Sequence, residues 1–211
     1  MWSAWPPLSS NRFVLASSSP RRRELFKLLG IPFTVFEPKI EEVFEEGKPE
    51  DLVEEIAVRK AQVFKGDGTV VAADTVVVFE DKLLGKPRDE EEAYEMLLLL
   101  RGKPHLVITG VAILSSQGIF SAHSTTRVLM REYSDEEMRV YISSGKAKDK
   151  AGAYAIQDRY FKPVASYEGC YSNVVGLPLC TLVRTLRRSG FELRDFQRLQ
   201  ECIGCQAKEK L

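Results

Sequence analysis

Residues Thr69–Pro87 read TVVAADTVVVFEDKLLGKP. The apolar, β-branched run that opens this stretch predicts a strand buried on both faces. Ala72-Ala73-Asp74-Thr75 then sets two small residues and a carboxylate into it, before Val76-Val77-Val78 restores the apolar pattern. A carboxylate among apolar neighbours is costly unless it is paired, hydrogen-bonded or bound to a metal ion. Glu80-Asp81 predicts a tight turn, and the return limb Leu83-Leu84-Gly85-Lys86-Pro87 carries a lysine back toward Asp74. An acid and a base one hairpin apart mark the expected seat of chemistry.

Upstream, Phe13-Val14-Leu15-Ala16 predicts a short strand, followed by Ser17-Ser18-Ser19-Pro20 and a helix over Arg21 to Leu29. Ser19 suits the N-cap, Pro20 the first helical position and Gly30 the C′ position. Arg21-Arg22-Arg23 oppose the dipole of that helix, which favours anions at its start. A bound polyanion would resolve the conflict, because free N–H groups and arginines would share its oxygens; a solvated basic turn is the plainer alternative. Phe33–Phe36 predicts a second short strand, leading into Lys39-Ile40-Glu41-Glu42-Val43-Phe44-Glu45-Glu46. That acidic run is either a solvated face or, beside a phosphate cluster, a source of magnesium-ligating oxygen from Glu41 or Glu42. From Glu50 to Phe64 the period is helical, with Val53, Ile56, Ala57 and Phe64 on one stripe. Lys60 shares the stripe, so it either snorkels outward or points into a pocket.

Downstream, Asp89 predicts a helix start, Glu90-Glu91-Glu92 suit its positive end, and Gly102 closes it. HLVITGVAIL from His105 and Gly118 to Met130 predict two strands around a turn, with His105 read as structural. Ser134-Asp135-Glu136-Glu137 has capping-box spacing for a helix through Ile142. The polar loop 144–152 leads to Ala153-Tyr154-Ala155-Ile156-Gln157, read as a strand end. Its Gln157 is either backbone-bonded or a reader of a base edge, since an amide both donates and accepts. Ser172 to Pro178 predicts a turn before a last helix, Leu179 to Arg188. Strands and helices intermix throughout, which predicts an α/β fold with a mixed sheet.

At 211 residues the chain supports one substantial core, in one domain with room for two lobes. Lys and Arg together number 30, as do Asp and Glu, so no global field points to nucleic acid or membrane. The first eleven residues lack a charged n-region and a long apolar core, and no run nears the length of a membrane span. Cys202-Ile-Gly-Cys205 has the CxxC form without a second pair, and His105 and His123 lie far upstream, which argues against zinc. The profile predicts a soluble protein of a reducing, cytoplasmic compartment.

In order along the chain, LASSSPRRRELFKLLG, RKAQ, AADTVVV, LGKPRDEEEAYEML, GKPHLVITGVAI, DKAGAYAIQ and YSNVVGLPL resemble the blocks of the Maf nucleotide pyrophosphatases. The similarity spans about Phe13 to Leu186, which sets residues 13–190 as one domain, with 1–12 as an extension and 191–211 as a tail. The resemblance implies an ITPase-like fold, an elongated mixed sheet with flanking helices and two lobes around a central cleft. It implies hydrolysis of a nucleoside triphosphate to monophosphate and pyrophosphate, with Mg²⁺ or Mn²⁺, in a homodimer. The pattern DKAG-x-Y-x-I-Q resembles the branch that acts on dTTP and UTP, while Ala155 stands where the family often has glycine. By matching positions, Asp74 is the proton acceptor, and Arg21, Thr75 and Gln157 are the specificity positions. The other polar motif residues are Ser17, Arg22, Glu42, Lys60 and Lys86. The expected catalytic set is thus Asp74, Lys86 and Glu42, with Glu42 and Asp74 on the metal.

On this reading Arg21, Arg22, Lys60 and Lys86 hold the triphosphate and stabilise the charge of phosphoryl transfer. A carboxylate is a weak base at neutral pH, so metal-assisted attack by water is favoured. Two other classes stand beside it. One is a nucleotide-binding regulator of septum formation that does not turn over its ligand; the cost of placing Asp74 and Lys60 in apolar patterns weighs against it. The other is a nucleic-acid binder using the arginine clusters, against which stand the zero net charge and the lack of interleaved aromatics.

Overall fold

The winding of the chain reverses around its first strand. In the computed structural model, which describes residues 13–40 and 47–191, β1 (Phe13–Ala16) is followed by α1 (Pro20–Lys27) and β2 (Phe33–Phe36), which lies parallel to β1. α2 (Pro49–Gln62) then returns the chain to β3 (Thr69–Phe79), parallel to β1 on its other side. β1 therefore sits at a switch point, and open α/β sheets characteristically bind ligands beyond the carboxyl ends of strands at such points.

The remainder is β4 (Lys82–Leu84), α3 (Glu90–Leu100), β5 (Pro104–Ser115), β6 (Gly118–Met130), α4 (Asp135–Ser143), β7 (Val164–Glu168), α5 (Tyr171–Val175) and α6 (Leu179–Arg188). The mixed sheet has seven strands in the order β2-β1-β3-β5-β6-β7, with β4 also paired to β3. Alternation along β3 assigns the two faces. Val70 and Ala72 pack with Val14, Ala16 and Ala61 of α2, whereas Val71 and Ala73 pack with Leu15, Leu25 and Phe26 beneath α1 and α6. Farther along the strand, Val77 and Phe79 belong to a separate core with α3 and α4. The two cores flank the middle of β3, where Asp74 and Thr75 lie.

One glycine sets the spacing of these layers. Gly110 of β5 is opposite Asp74 in register, and a Cβ there would lie 2.4 Å from the Val53 carbonyl oxygen of α2. Only the absence of a side chain lets α2 approach so closely.

Local sequence accounts for most boundaries. Ser19 caps α1 by accepting from the Arg22 N–H, Asp89 caps α3, and Ser134 with Glu137 forms the expected capping box of α4. Three expectations are corrected. α1 ends at Lys27, so Gly30, with φ 67°, falls one residue beyond the C′ position. Residues 153–157 are not a strand end: Ala151–Ala153 is a 3-10 turn in which Gly152 and Ala153 take φ of 67° and 60°, which no strand accommodates. The turn expected over 172–178 contains the short α5, which stops at Gly176. β7 was not foreseen, because it is an edge strand exposed at nearly every position and carries no alternation.

Candidate active site

A gap in strand pairing creates the cleft. β5 pairs with β3 from Val70 to Val78, but on the other edge β1 stops at Ala72 and β4 begins at Val77. A cavity of about 420 Å³ lies at this gap, lined by Asp74 and Thr75 of β3, and this is a volume typical of small-molecule sites. Around it stand the Ser17–Arg22 segment, Lys86 after β4, residues 148–157 and the end of α5.

At its floor, Lys60 of α2 places Nζ 2.5 Å from Asp74 Oδ1. Both are nearly sealed, at 5% and 3% exposure. The lysine therefore points inward, as the pocket reading of the α2 stripe required. Burial of an ion pair is tolerable only with close geometry and further polar contacts. Asp74 Oδ2 is buried with no hydrogen-bond partner among the described residues, so one strong acceptor is left over.

On the rim, the first turn of α1 supplies two arginines. Arg22 donates from Nε to the Gly176 carbonyl oxygen at 2.7 Å and from Nη2 to Thr75 Oγ1 at 3.0 Å. Arg21 crosses to the facing loop, where Nη1 meets Asp149 Oδ2 at 2.8 Å and Nη2 donates to the Asp149 carbonyl oxygen. Ser17 is buried, and its Oγ accepts from the Ser19 N–H. No acidic residue lies in the first turn of α1. Among the described residues the lining thus carries Arg21, Arg22, Lys60, Lys86, Lys148 and Lys150 against Asp74 and Asp149, and such an imbalance favours an anionic ligand.

Across the cleft, Lys150 Nζ lies 2.5 Å from Asp149 Oδ1 and also reaches the Lys146 carbonyl oxygen. Burial would raise the Asp149 carboxyl, but the Lys150 hydrogen bond and the Arg21 charge outweigh it and hold the group below its ordinary value. Burial pushes Lys150 down despite its carboxylate neighbour. Burial raises the phenol of Tyr154, and its hydroxyl shares a 2.7 Å hydrogen bond with His105 Nε2. His105 does not line the cleft, in keeping with a structural role.

Of the nine site residues expected from sequence, eight line this one cavity: Ser17, Arg21, Arg22, Lys60, Asp74, Thr75, Lys86 and Gln157. Glu42 lies outside the described residues, as do Cys202 and Cys205. Gln157 stands where the cleft meets a neighbouring groove lined by Lys146, Arg159 and Tyr160. Sequence reasoning missed Asp149, Lys150 and Thr109. Asp149 and Lys150 fall inside DKAGAYAIQ, so the motif could have flagged them, whereas nothing local marks Thr109. Among the described residues no group of three His, Cys, Asp or Glu is arranged to hold a metal ion.

Sheet, switch point and cation-lined cleft together define a mixed α/β protein whose cleft favours an anionic ligand. The chain belongs to the Maf family: the family model described as Maf-like protein matches residues 12–189. It is 50% identical over 184 residues to the dTTP/UTP pyrophosphatase of Thermomicrobium roseum, covering 84% of each chain. It is 45% identical over 186 residues to the dTTP/UTP pyrophosphatase of Pelotomaculum thermopropionicum, covering 85% of this chain and 97% of the relative. Among solved structures, the Staphylococcus aureus Ham1 protein matches at 16% identity with a TM-score of 0.46, covering 73% of this chain and 80% of that one.

Proposed function

We propose that the protein hydrolyses dTTP and UTP to the monophosphate and pyrophosphate in this cleft. The observation that carries the proposal is the buried Asp74–Lys60 pair at the floor of a cation-lined cavity, in a chain whose relatives are named dTTP/UTP pyrophosphatases. Arg21, Arg22 and Lys86 hold the triphosphate at the positive end of α1. Arg21 exchanges the Asp149 carboxylate for phosphate oxygen as the substrate enters. Lys60 fixes Asp74 through Oδ1, and the carboxylate orients the attacking water and takes its proton. Attack at the α-phosphorus expels pyrophosphate, whose developing charge the lysines and arginines stabilise.

Mg²⁺ or Mn²⁺ suits this arrangement, because Asp74 Oδ2 is a hard oxygen with no partner among the described residues. With Asp74 and Glu42 as ligands beside phosphate oxygens, the ion would acidify water and neutralise charge. Gln157 and nearby backbone read the base. Its amide complements the carbonyl and N3–H shared by thymine and uracil and mismatches cytosine, whose edge is reversed; unpaired polar groups discriminate strongly, whereas one methyl does not. Residues 13–190 form the catalytic domain, a boundary supported by the family match over 12–189. The protein works as a cytoplasmic homodimer, as the family resemblance implies, with roles in nucleotide-pool cleansing and cell-division arrest. No described helix is long and apolar enough to cross a membrane.

The deciding experiment measures pyrophosphate release from dTTP, UTP, CTP, ATP, GTP and 7-methyl-GTP, with Mg²⁺, Mn²⁺ or EDTA. Metal-dependent release led by dTTP and UTP is expected, and Asp74→Asn should abolish it while nucleotide binding survives. Turnover led by 7-methyl-GTP would discard the assignment of Gln157, and no release from any nucleotide would leave a non-hydrolysing regulator.

A further inference from the structure

The Arg22 guanidinium is held from behind, and the direction of the hold follows from counting hydrogens. Thr109 Oγ1 donates to the Asn173 carbonyl oxygen at 3.0 Å. A hydroxyl carries one hydrogen, so in the 3.0 Å contact between Thr75 Oγ1 and Thr109 Oγ1 the donor is Thr75. Thr75 Oγ1, its own hydrogen spent, accepts from Arg22 Nη2. The relay runs one way, from Arg22 to Thr75 to Thr109 to the Asn173 carbonyl.

Both ends of the relay are fixed. Asn173 donates from Nδ2 to the Val107 carbonyl oxygen and to Thr126 Oγ1, each at 2.9 Å. At the arginine, Nε is bonded to the Gly176 carbonyl oxygen. Gly176 adopts φ 119°, a region that side-chain-bearing residues rarely enter, and this conformation presents its carbonyl to Arg22. Thr109 is fully buried, faces Thr75 in register and lies outside the cleft lining.

We infer that Thr109 is a positioning residue for the triphosphate site, setting Arg22 through Thr75. The inference rests on the triphosphate chemistry proposed above.

Thr109→Val keeps the shape and removes the hydroxyl. Losing a hydrogen bond behind a charged group should lower kcat/KM about tenfold, by the same factor for dTTP and UTP and without changing the ratio of dTTP to CTP. Thr109→Ser should restore activity to within about threefold of wild type, since it returns the hydroxyl alone. In an Arg22→Gln background Thr109→Val should have no further effect, because coupled residues are non-additive. Calorimetric binding of inorganic tripolyphosphate should weaken in Thr109→Val in parallel. This arm separates the two claims: a wild type that releases no pyrophosphate sinks the activity, while tripolyphosphate affinity still decides the role of Thr109. Unchanged activity and binding in Thr109→Val would overturn the inference, as would a serine variant equally impaired, additivity with Arg22→Gln, or an altered base ratio. Should Thr109→Val fail to fold, Thr75→Val and Thr75→Ser carry the activity and tripolyphosphate arms, with the same loss and the same rescue expected.

Discussion

Removing either member of the Lys60–Asp74 pair should destabilise the fold by far more than a surface ion pair would. With Nζ and Oδ1 2.5 Å apart, Coulomb attraction at an effective dielectric of about 20 is about 7 kcal/mol before desolvation is counted. Desolvation of two nearly sealed ions offsets much of that, so the pair as a whole contributes little. The asymmetry lies in breaking it. Lys60→Met leaves a buried carboxylate without its ammonium and Asp74→Asn removes the carboxylate from a buried ion pair, each costing about 3–5 kcal/mol. In a domain of this size that is roughly 6–20 °C in Tm. The double variant strands neither charge and should be clearly more stable than the sum of the single losses predicts. Urea unfolding of all four proteins at pH 7.5, followed by circular dichroism with m held in common, measures the coupling. Single losses below about 1 kcal/mol, the range of exposed pairs, or strict additivity in the double variant would refute the reasoning.

Other consequences follow from the same geometry. His105 is buried, and desolvation lowers its pKa from 6.5 to about 4, so between those values the unfolded chain binds the extra proton. Stability should be intact above about pH 6.5 and fall by roughly 3 kcal/mol as pH drops toward 4; urea midpoints across that window test it, and a flat profile would refute it. Gly110→Ala would drive a Cβ to 2.4 Å from the Val53 backbone, so α2 must retreat, with a cost of about 1–3 kcal/mol and reduced pyrophosphate release measured on the folded protein. Gln157→Ala should reduce the preference for dTTP over CTP by at least about tenfold, the scale of a lost polar match, with tripolyphosphate affinity unchanged by calorimetry.

Where an element's boundary is decided within a few residues, it was legible in the sequence. The Ser19 and Asp89 caps, the Ser134 capping box, the Glu80-Asp81 turn and the limits of α6 all depend on neighbouring residues, and all are in place. The turn around Gly152 and Ala153 was not legible, because alanine at φ 60° is held there by its surroundings rather than by preference. Which residues line the cleft was legible from motifs, but partnership was not. Arg21 and Asp149 are 128 residues apart, and no periodicity links them. Lys60 and Asp74 could each be flagged as charges in apolar patterns, yet their contact depends on how closely α2 approaches β5, which is set by Gly110. Thr109 looked like any polar residue in a strand, because its meaning lies in the partner opposite it.

Among the cleft's ion pairs, Lys60–Asp74 and Arg21–Asp149 differ in a way that suits them to different work. Lys60–Asp74 is sealed, at 5% and 3% exposure, so breaking it is costly, and the pair acts as fixed architecture. Arg21–Asp149 has side chains 22% and 55% exposed, where solvent screening leaves a pair worth about 1 kcal/mol or less. Asp149 is held below its ordinary pKa, the Lys150 hydrogen bond and the Arg21 charge outweighing burial, and so it remains an anion through neutral pH. It therefore occupies the position of one charge of an incoming phosphate at little energetic cost to displace. On the proposed reading, an incoming polyphosphate would meet Arg21 already extended across the cleft, Arg22 already held by Thr75 and Gly176, and an Asp74 sealed against Lys60. The exposed contact lies at the mouth and the sealed one at the floor, the order that capture followed by in-line attack would require.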